Sequence, residues 1–198
     1  MNISDENKFL DIVYRYYPRQ IESGSHQYHF SPEYIRLKKL IGNATKENLI
    51  TKKLKRFLFD YIKKNKNLSV QDYTLFVSED RCYNIQLIND NYEKNIMHSI
   101  CINISLLIPY YTIHVLETKR SEDYKKRISN PKRKVELEEK NYKEIIHSIK
   151  EFLNTNLNLT PFPHRLLFKI IPDISFQNSG FKKFSFYNAF FLDDFYTR

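Results

Sequence analysis

Few side chains in this sequence are spaced for chemistry, and the sharpest set is Glu117-Thr118-Lys119. An E-x-K triplet at the end of a strand lets the carboxylate bind Mg²⁺. The lysine two residues on lies on the same side of the strand and orients the attacking water, as in metal-dependent nucleases of the restriction-enzyme type. Such a site needs an aspartate from a neighbouring strand, and Asp72, Asp80 and Asp90 are the nearby offers. Glu138-Glu139-Lys140 fits the same triplet, so the spacing is weak information in a chain rich in Glu and Lys. His26 and His29 have an H-x-x-H spacing without an acidic or cysteine partner at ligand distance, and read as solvated loop histidines. His114 shares a predicted strand face with Tyr110 and Thr112, a setting for a hydrogen-bonded structural imidazole, while His98, His147 and His164 have no visible companions. A hairpin centred near Asn91 and Tyr92 would set Cys82 opposite Cys101. A reactive thiolate needs a base and an electropositive setting, so the expectation is two reduced cysteines on one sheet face. No catalytic residue, metal site or cofactor is expected from these residues.

The composition narrows the classes further. Three glycines in 198 residues are too few for phosphate-cradling or dinucleotide-binding loops, which need positive φ and close backbone approach. Fifteen Phe and fifteen Tyr supply ample area for one core, and the length fits a single domain over 1–198. The start of the chain, MNISDENKF, lacks the apolar stretch of a secretory signal. The most apolar run, Ile100 to Val115, is interrupted by Asn103, Ser105, Pro109 and His114, and is shorter than the roughly 18 to 20 residues of a membrane span. Two cysteines make no disulfide framework, and the expected compartment is the cytoplasm.

The elements that must position these residues follow from periodicity. Phe9, Ile12, Val13 and Tyr16 predict a helix over Asp5 to Tyr17, ended by Pro18. Ser31-Pro32-Glu33 is a helix start, with a serine cap, a proline that has no N–H to lose, and a carboxylate at the positive end. A second start at Thr45 leads into the stripe Leu54, Phe57, Leu58, Tyr61 and Ile62, so this region is two amphipathic helices or one kinked helix. The pattern then alternates, predicting strands at 68–77, 81–88, 96–107 and 110–118. Their short connections favour an antiparallel meander. One face, with Ile100, Ile102, Ile104 and Leu106, packs on helices, and the other is more polar. A further helix is predicted over Glu138 to Leu153, and the Phe-rich tail from Leu166 should dock on the body. The expected fold is α+β: N-terminal helices, a four-stranded meander, a further helix and a docked aromatic tail.

The net charge of +9 is unevenly spread. Arg36 to Lys66 holds eleven Lys or Arg against Glu47 and Asp60, and 119–134 holds eight against Glu122 and Asp123. The rest is therefore net acidic. Nucleic-acid binding calls for basic residues interleaved with exposed aromatics. The 119–134 loop offers only Tyr124, and the aromatics near Lys52 to Lys64 are expected in the core. What remains is phosphate contact without base readout, which would be salt-sensitive.

The segments Ser105-Leu-Leu-Ile-Pro-Tyr-Tyr-Thr-Ile113, Ile171-Pro-Asp-Ile174 and Phe186-Tyr-Asn-Ala-Phe-Phe-Leu-Asp-Asp194, with the order of elements, resemble bacterial immunity-type proteins that accompany polymorphic toxins. The resemblance runs from about Tyr14 onward, and its motifs are apolar and structural. It implies a non-enzymatic cytoplasmic protein that neutralises a cognate toxin by binding it, and it supplies no contact residues. A basic inhibitor suits a toxin with an acidic surface. The residues expected at that contact are Lys52, Lys53, Lys55 and Arg56 on the helix, Lys125, Lys126, Arg127, Lys132, Arg133 and Lys134 in the loop, and Tyr110, Tyr111 or the Phe-rich tail as an aromatic anchor. The alternatives are the Mg²⁺-dependent nuclease with Glu117 and Lys119, and the phosphate-contacting nucleic-acid binder.

Overall fold

The computed structural model describes residues 3–45, 48–63, 68–91, 96–119 and 132–193. Helix α1 (Ile3–Tyr16) and the short α2 (His26–His29) precede α3 (Pro32–Ala44) and α4 (Leu49–Ile62). The Ser31 side chain accepts from Tyr34 N at 3.3 Å, the serine cap read from the sequence. The second start lies three residues later than Thr45: Asn48 Oδ1 accepts from Ile50 N at 2.7 Å, and Thr45 closes α3. The region is two helices.

The sheet follows as β1 (Leu68–Asp72), β2 (Cys82–Asn91), β3 (Ile96–Ser105) and β4 (Tyr110–Lys119), each antiparallel to the next. It has six strands among the described residues, not four. β5 (Lys132–Arg133) pairs antiparallel with β4, and β6 (Thr160–Pro161) pairs parallel with the start of β4, so the sheet is not a pure meander. β1 stops at Asp72, whose carboxylate accepts from Thr74 N at 3.0 Å, and Asp80 accepts from Leu75 N at 2.7 Å. These two caps fold 73–81 into a loop around the 3-10 turn Phe76–Ser78 instead of the extended strand the alternation suggests. The predicted helix 138–153 is two, α5 (Val135–Lys140) and α6 (Lys143–Asn156). The break sits at Tyr142, which leaves helical geometry and places its hydroxyl 3.1 Å from Asn89 Nδ2 and 2.9 Å from His98 Nδ1.

The expected pairing of Cys82 with Cys101 is wrong by four positions: Cys82 lies opposite Ser105, and Cys101 opposite Gln86. The observed register sets Ile85 against Ile102 and Leu87 against Ile100, which concentrates apolar pairs at the centre of one face. That face, with Tyr111 and Val115, packs on Leu54 and Leu58 of α4 and on Ile145, Ile149 and Leu153 of α6. Phe57 and Phe152 stack at 4.3 Å and join the two helices.

The opposite face is polar as expected, but it is buried: Asn84, Gln86, Ser99, Asn103, Thr112 and His114 are all inside. Its inner end lies under a second core built from Phe9, Val13 and Tyr17 of α1, Leu37 and Ile41 of α3, and the C-terminal aromatics. That C-terminal part contains α7 (His164–Leu167) and α8 (Phe186–Phe190), and Phe184, Phe186, Phe190 and Phe191 are fully buried, so the tail docks. Ser185 and Asn188 form a reciprocal capping box that starts α8, and Tyr17 donates to Ala189 O at 2.7 Å.

Candidate functional site

The fold does not assemble the candidate nuclease centre among the described residues. Glu117 lies opposite His98 on the helix-covered face, with Oε2 3.5 Å from His98 Nε2 and Oε1 3.5 Å from Lys134 Nζ. Lys119 is exposed at the strand end. Asp72 is held by Lys55 and Thr74. Burial raises its pKa, but those hydrogen bonds outweigh burial and leave it below the ordinary carboxylate value. Asp80 is spent on Leu75 N, and burial raises its pKa. The side chain of Asp90 lies outside the described residues. No group of three His, Cys, Asp or Glu side chains suited to a metal occurs among the described residues.

His26, His29, His114 and the two cysteines each meet neighbours in the fold or lie enclosed in it. His26 stacks on Phe30 at 4.4 Å, and His29 meets the Tyr34 ring at 5.4 Å, so the two imidazoles engage neighbouring aromatics. His114 is buried, which lowers its pKa to about 3 with help from the nearby Arg133 charge, and it stays neutral. Both thiols are free and buried, and burial raises the pKa of each.

Of the expected contact residues, Lys125, Lys126 and Arg127 lie outside the described residues. Lys132 is exposed. Arg133 lies 3.5 Å from Glu138 and Lys134 lies 3.5 Å from Glu117, so these two cations already face carboxylates within the chain. The aromatic anchor is not where the sequence put it. Tyr111 is buried on the helix-covered face and donates to Asn154 Oδ1 at 3.1 Å. Tyr110 packs edge-on to Phe9 at 5.3 Å in the second core. Both belong to the interior because inward positions alternate along β4 as it meets two cores.

α4 keeps its cations outside. Thr51, Leu54 and Leu58 point at the sheet, and Lys52, Lys53 and Arg56 are exposed, while Lys55 is half-buried in an ion pair with Asp72. At about 100° per residue, the outward stripe runs through Leu49, Lys52, Lys53, Arg56 and Phe59. Its two apolar members are open, Leu49 65% and Phe59 47% exposed. Phe59 was expected in the core with its neighbours. The angular position relative to Leu54 and Leu58 was enough to place it outside, whereas Phe57 and Tyr61 are taken up by packing. The stripe therefore has apolar ends, a cationic centre and a length of about 15 Å.

One residue escaped the sequence reading altogether. Arg81 is fully buried and gathers the C-terminal segment. Its Nε donates to Asn188 O at 3.0 Å, Nη1 to Glu79 O at 3.0 Å and to Gln177 Oε1 at 3.4 Å, and Nη2 to Asp193 Oδ1 at 3.4 Å. Its guanidinium lies 4.8 Å from the centre of the Phe176 ring. Glu79, at positive φ, accepts from Tyr34, Lys38 and Gln177. Arginines are usually surface residues, and nothing local in the sequence marks this one.

No protein-family model, no curated protein and no solved structure matches this chain.

Proposed function

We propose that this chain is a non-enzymatic binding protein of the immunity type, which neutralises a toxin protein by seating the outward stripe of α4 on an acidic surface of it. The observation that carries the reading is that stripe: exposed Leu49 and Phe59 at the ends of a cationic row formed by Lys52, Lys53 and Arg56. Desolvated apolar anchors supply affinity at protein interfaces, and surrounding charges supply orientation and on-rate. The carboxylates that the nuclease alternative needs are engaged elsewhere, Asp72 with Lys55 and Asp80 with Leu75 N. A single-strand nucleic-acid groove would present successive aromatic faces for stacking. This stripe offers one phenylalanine and one leucine. Two free buried thiols fit a reducing cytoplasm, and among the described residues no helix is long and apolar enough to cross a membrane.

The test is capture of the toxin encoded by the gene immediately upstream, followed by measurement of affinity. Phe59→Ala should weaken the complex about tenfold or more, a loss above about 1 kcal/mol. The triple variant K52E/K53E/R56E should slow association most at low salt. Equal affinity for all three proteins would refute the assignment of the surface. Failure to bind the neighbouring toxin, with salt-dependent binding of single-stranded nucleic acid instead, would refute the function.

A further inference from the structure

The two sides of the sheet end differently. Beyond β4 lie β5 and β6, whereas β1 is the last strand on its side among the described residues. Tyr73 N donates to Asn84 O at 2.8 Å, one step beyond the Asp72–Ile85 pair in the register. In an antiparallel ladder hydrogen-bonded and non-hydrogen-bonded pairs alternate. Ser69 and Gln71 therefore bond to β2, and Leu68, Val70 and Asp72 turn their N–H and C=O groups away from it. Those outward groups are what an incoming strand uses. Edges are ordinarily blunted by proline, a bulge, charge or shortness of the strand, and the five residues of β1, Leu-Ser-Val-Gln-Asp, hold no proline and one charge, Asp72, which Lys55 neutralises.

The ground beside this edge is charged. Lys55 reaches down from α4 to Asp72, which fixes the flank of the helix that overhangs β1. Phe57 stacks on α6 and marks the opposite flank. Continuing around the helix from Lys55, Phe59, Lys52 and then Arg56 come next on the overhanging side, all exposed. An extended segment laid against β1 passes beside one open phenyl ring and a row of cations. A second copy of this chain does not suit the edge, because two β1 strands paired across a twofold would bring two such cationic flanks together.

We propose that the outer edge of β1 is the docking strand for an extended acidic segment of a partner protein, which joins the sheet through the outward N–H and C=O groups of Leu68, Val70 and Asp72. Carboxylates of that segment lie beside Arg56, and one apolar side chain covers Phe59. The proposal rests on the reading of the chain as a binder of an acidic protein, and supplies its mode of recognition. At the end of the edge Leu75 and Val77 are 55% and 95% exposed and extend the contact with apolar surface.

Amide exchange measured by NMR tests it, with a short peptide of alternating valine and glutamate as the probe. In the folded chain the outward amides of Val70 and Asp72 should exchange fast without peptide and slow at least tenfold with it. The Ser69 and Gln71 amides should be protected in both states. Val70→Pro removes an outward donor without touching the ladder to β2 and should weaken peptide binding about tenfold, while Val70→Ala, which keeps the donor, should bind as the parent does. Peptide-induced shifts on α4 with unchanged exchange at Val70 and Asp72 would overturn the edge and leave the α4 reading standing. No response anywhere overturns the edge as well, and the capture experiment above then decides the function on its own. Concentration-dependent dimers formed through β1 that exclude the peptide would overturn the choice of occupant.

Discussion

Replacing Arg81 by methionine should cost about 3 to 5 kcal/mol, the range for breaking a buried, hydrogen-bonded charge network from one side. The guanidinium is fully buried and satisfies the carbonyls of Asn188 and Glu79 and the Gln177 amide oxygen, besides the Asp193 carboxylate. Methionine fills much of the volume, so the cost comes from orphaned acceptors and not from a cavity. The bond to Asp193, at 3.4 Å, is longer than the 3.0 Å bonds to the two carbonyls. Asp193→Asn should therefore cost far less, about 1 kcal/mol. Because the lost partners belong to 177–193, the damage should be regional before it is global. Guanidinium denaturation gives the total, and a lower m-value for Arg81→Met would report C-terminal surface already exposed in the native state. Native-state hydrogen exchange should show the Ala189 and Phe191 amides, which close α8 onto Ser185 and Tyr187, losing protection before those of β3. A loss below about 1 kcal/mol for Arg81→Met, or equal losses for Arg81→Met and Asp193→Asn, would refute this account of how the tail is held.

His114 gives a pH dependence with a definite sign. Its folded pKa is lowered to about 3, by burial first and by Arg133 second, from an ordinary value of 6.5. Its contribution is intact above 6.5 and is lost as pH falls toward the folded value, by about 1.4 kcal/mol per pH unit once well below 6.5. His114→Gln should flatten the wild-type slope measured by denaturation between about pH 6 and pH 4, and identical slopes would contradict the burial argument. Cys82 and Cys101 are buried with raised thiol pKa values, so iodoacetamide should label neither in the native protein, and labelling in denaturant should track unfolding. Modification of either thiol at the rate of a free cysteine would show that the sheet face opens.

Local signals in the sequence carried further than pairwise ones. Ser31-Pro32-Glu33 placed a helix start to the residue because the cap is made by neighbours. The strict alternation of Ile100, Ile102 and Ile104 placed β3 and its inward face. The register of the β2–β3 hairpin was not legible, since every pairing of the same parity keeps the apolar residues on one side, and only three-dimensional matching of Ile85 with Ile102 distinguishes them. β6 is two residues with a proline and carries no periodicity, so its parallel pairing with Tyr110 and Tyr111 had no signal. The same contact explains the missed fate of those tyrosines: with α6 and β6 packed against the start of β4, residues that read as anchors for a partner are interior. Phe59 is the converse, an aromatic assigned to the core by type although its helical angle puts it outside.

The asymmetry of the sheet ties these observations together. On the β4 side, β5, β6 and α5 close the edge, and Glu117 and Glu138 take up Lys134 and Arg133. On the β1 side no described strand pairs beyond β1, and the outward face of α4 beside it carries Lys52, Lys53 and Arg56, while Lys55 meets Asp72. An open edge invites self-association, and a cationic overhang opposes it for identical chains while favouring an acidic segment. The same cations thus discriminate in both directions, which predicts that neutralising them on α4 harms more than partner affinity. The neutral variant K52Q/K53Q/R56Q should leave the folded chain more prone to pair with itself through β1, read as a concentration-dependent rise in sedimentation coefficient that Val70→Pro suppresses. A monomeric triple variant at all concentrations would mean that α4 does not guard this edge.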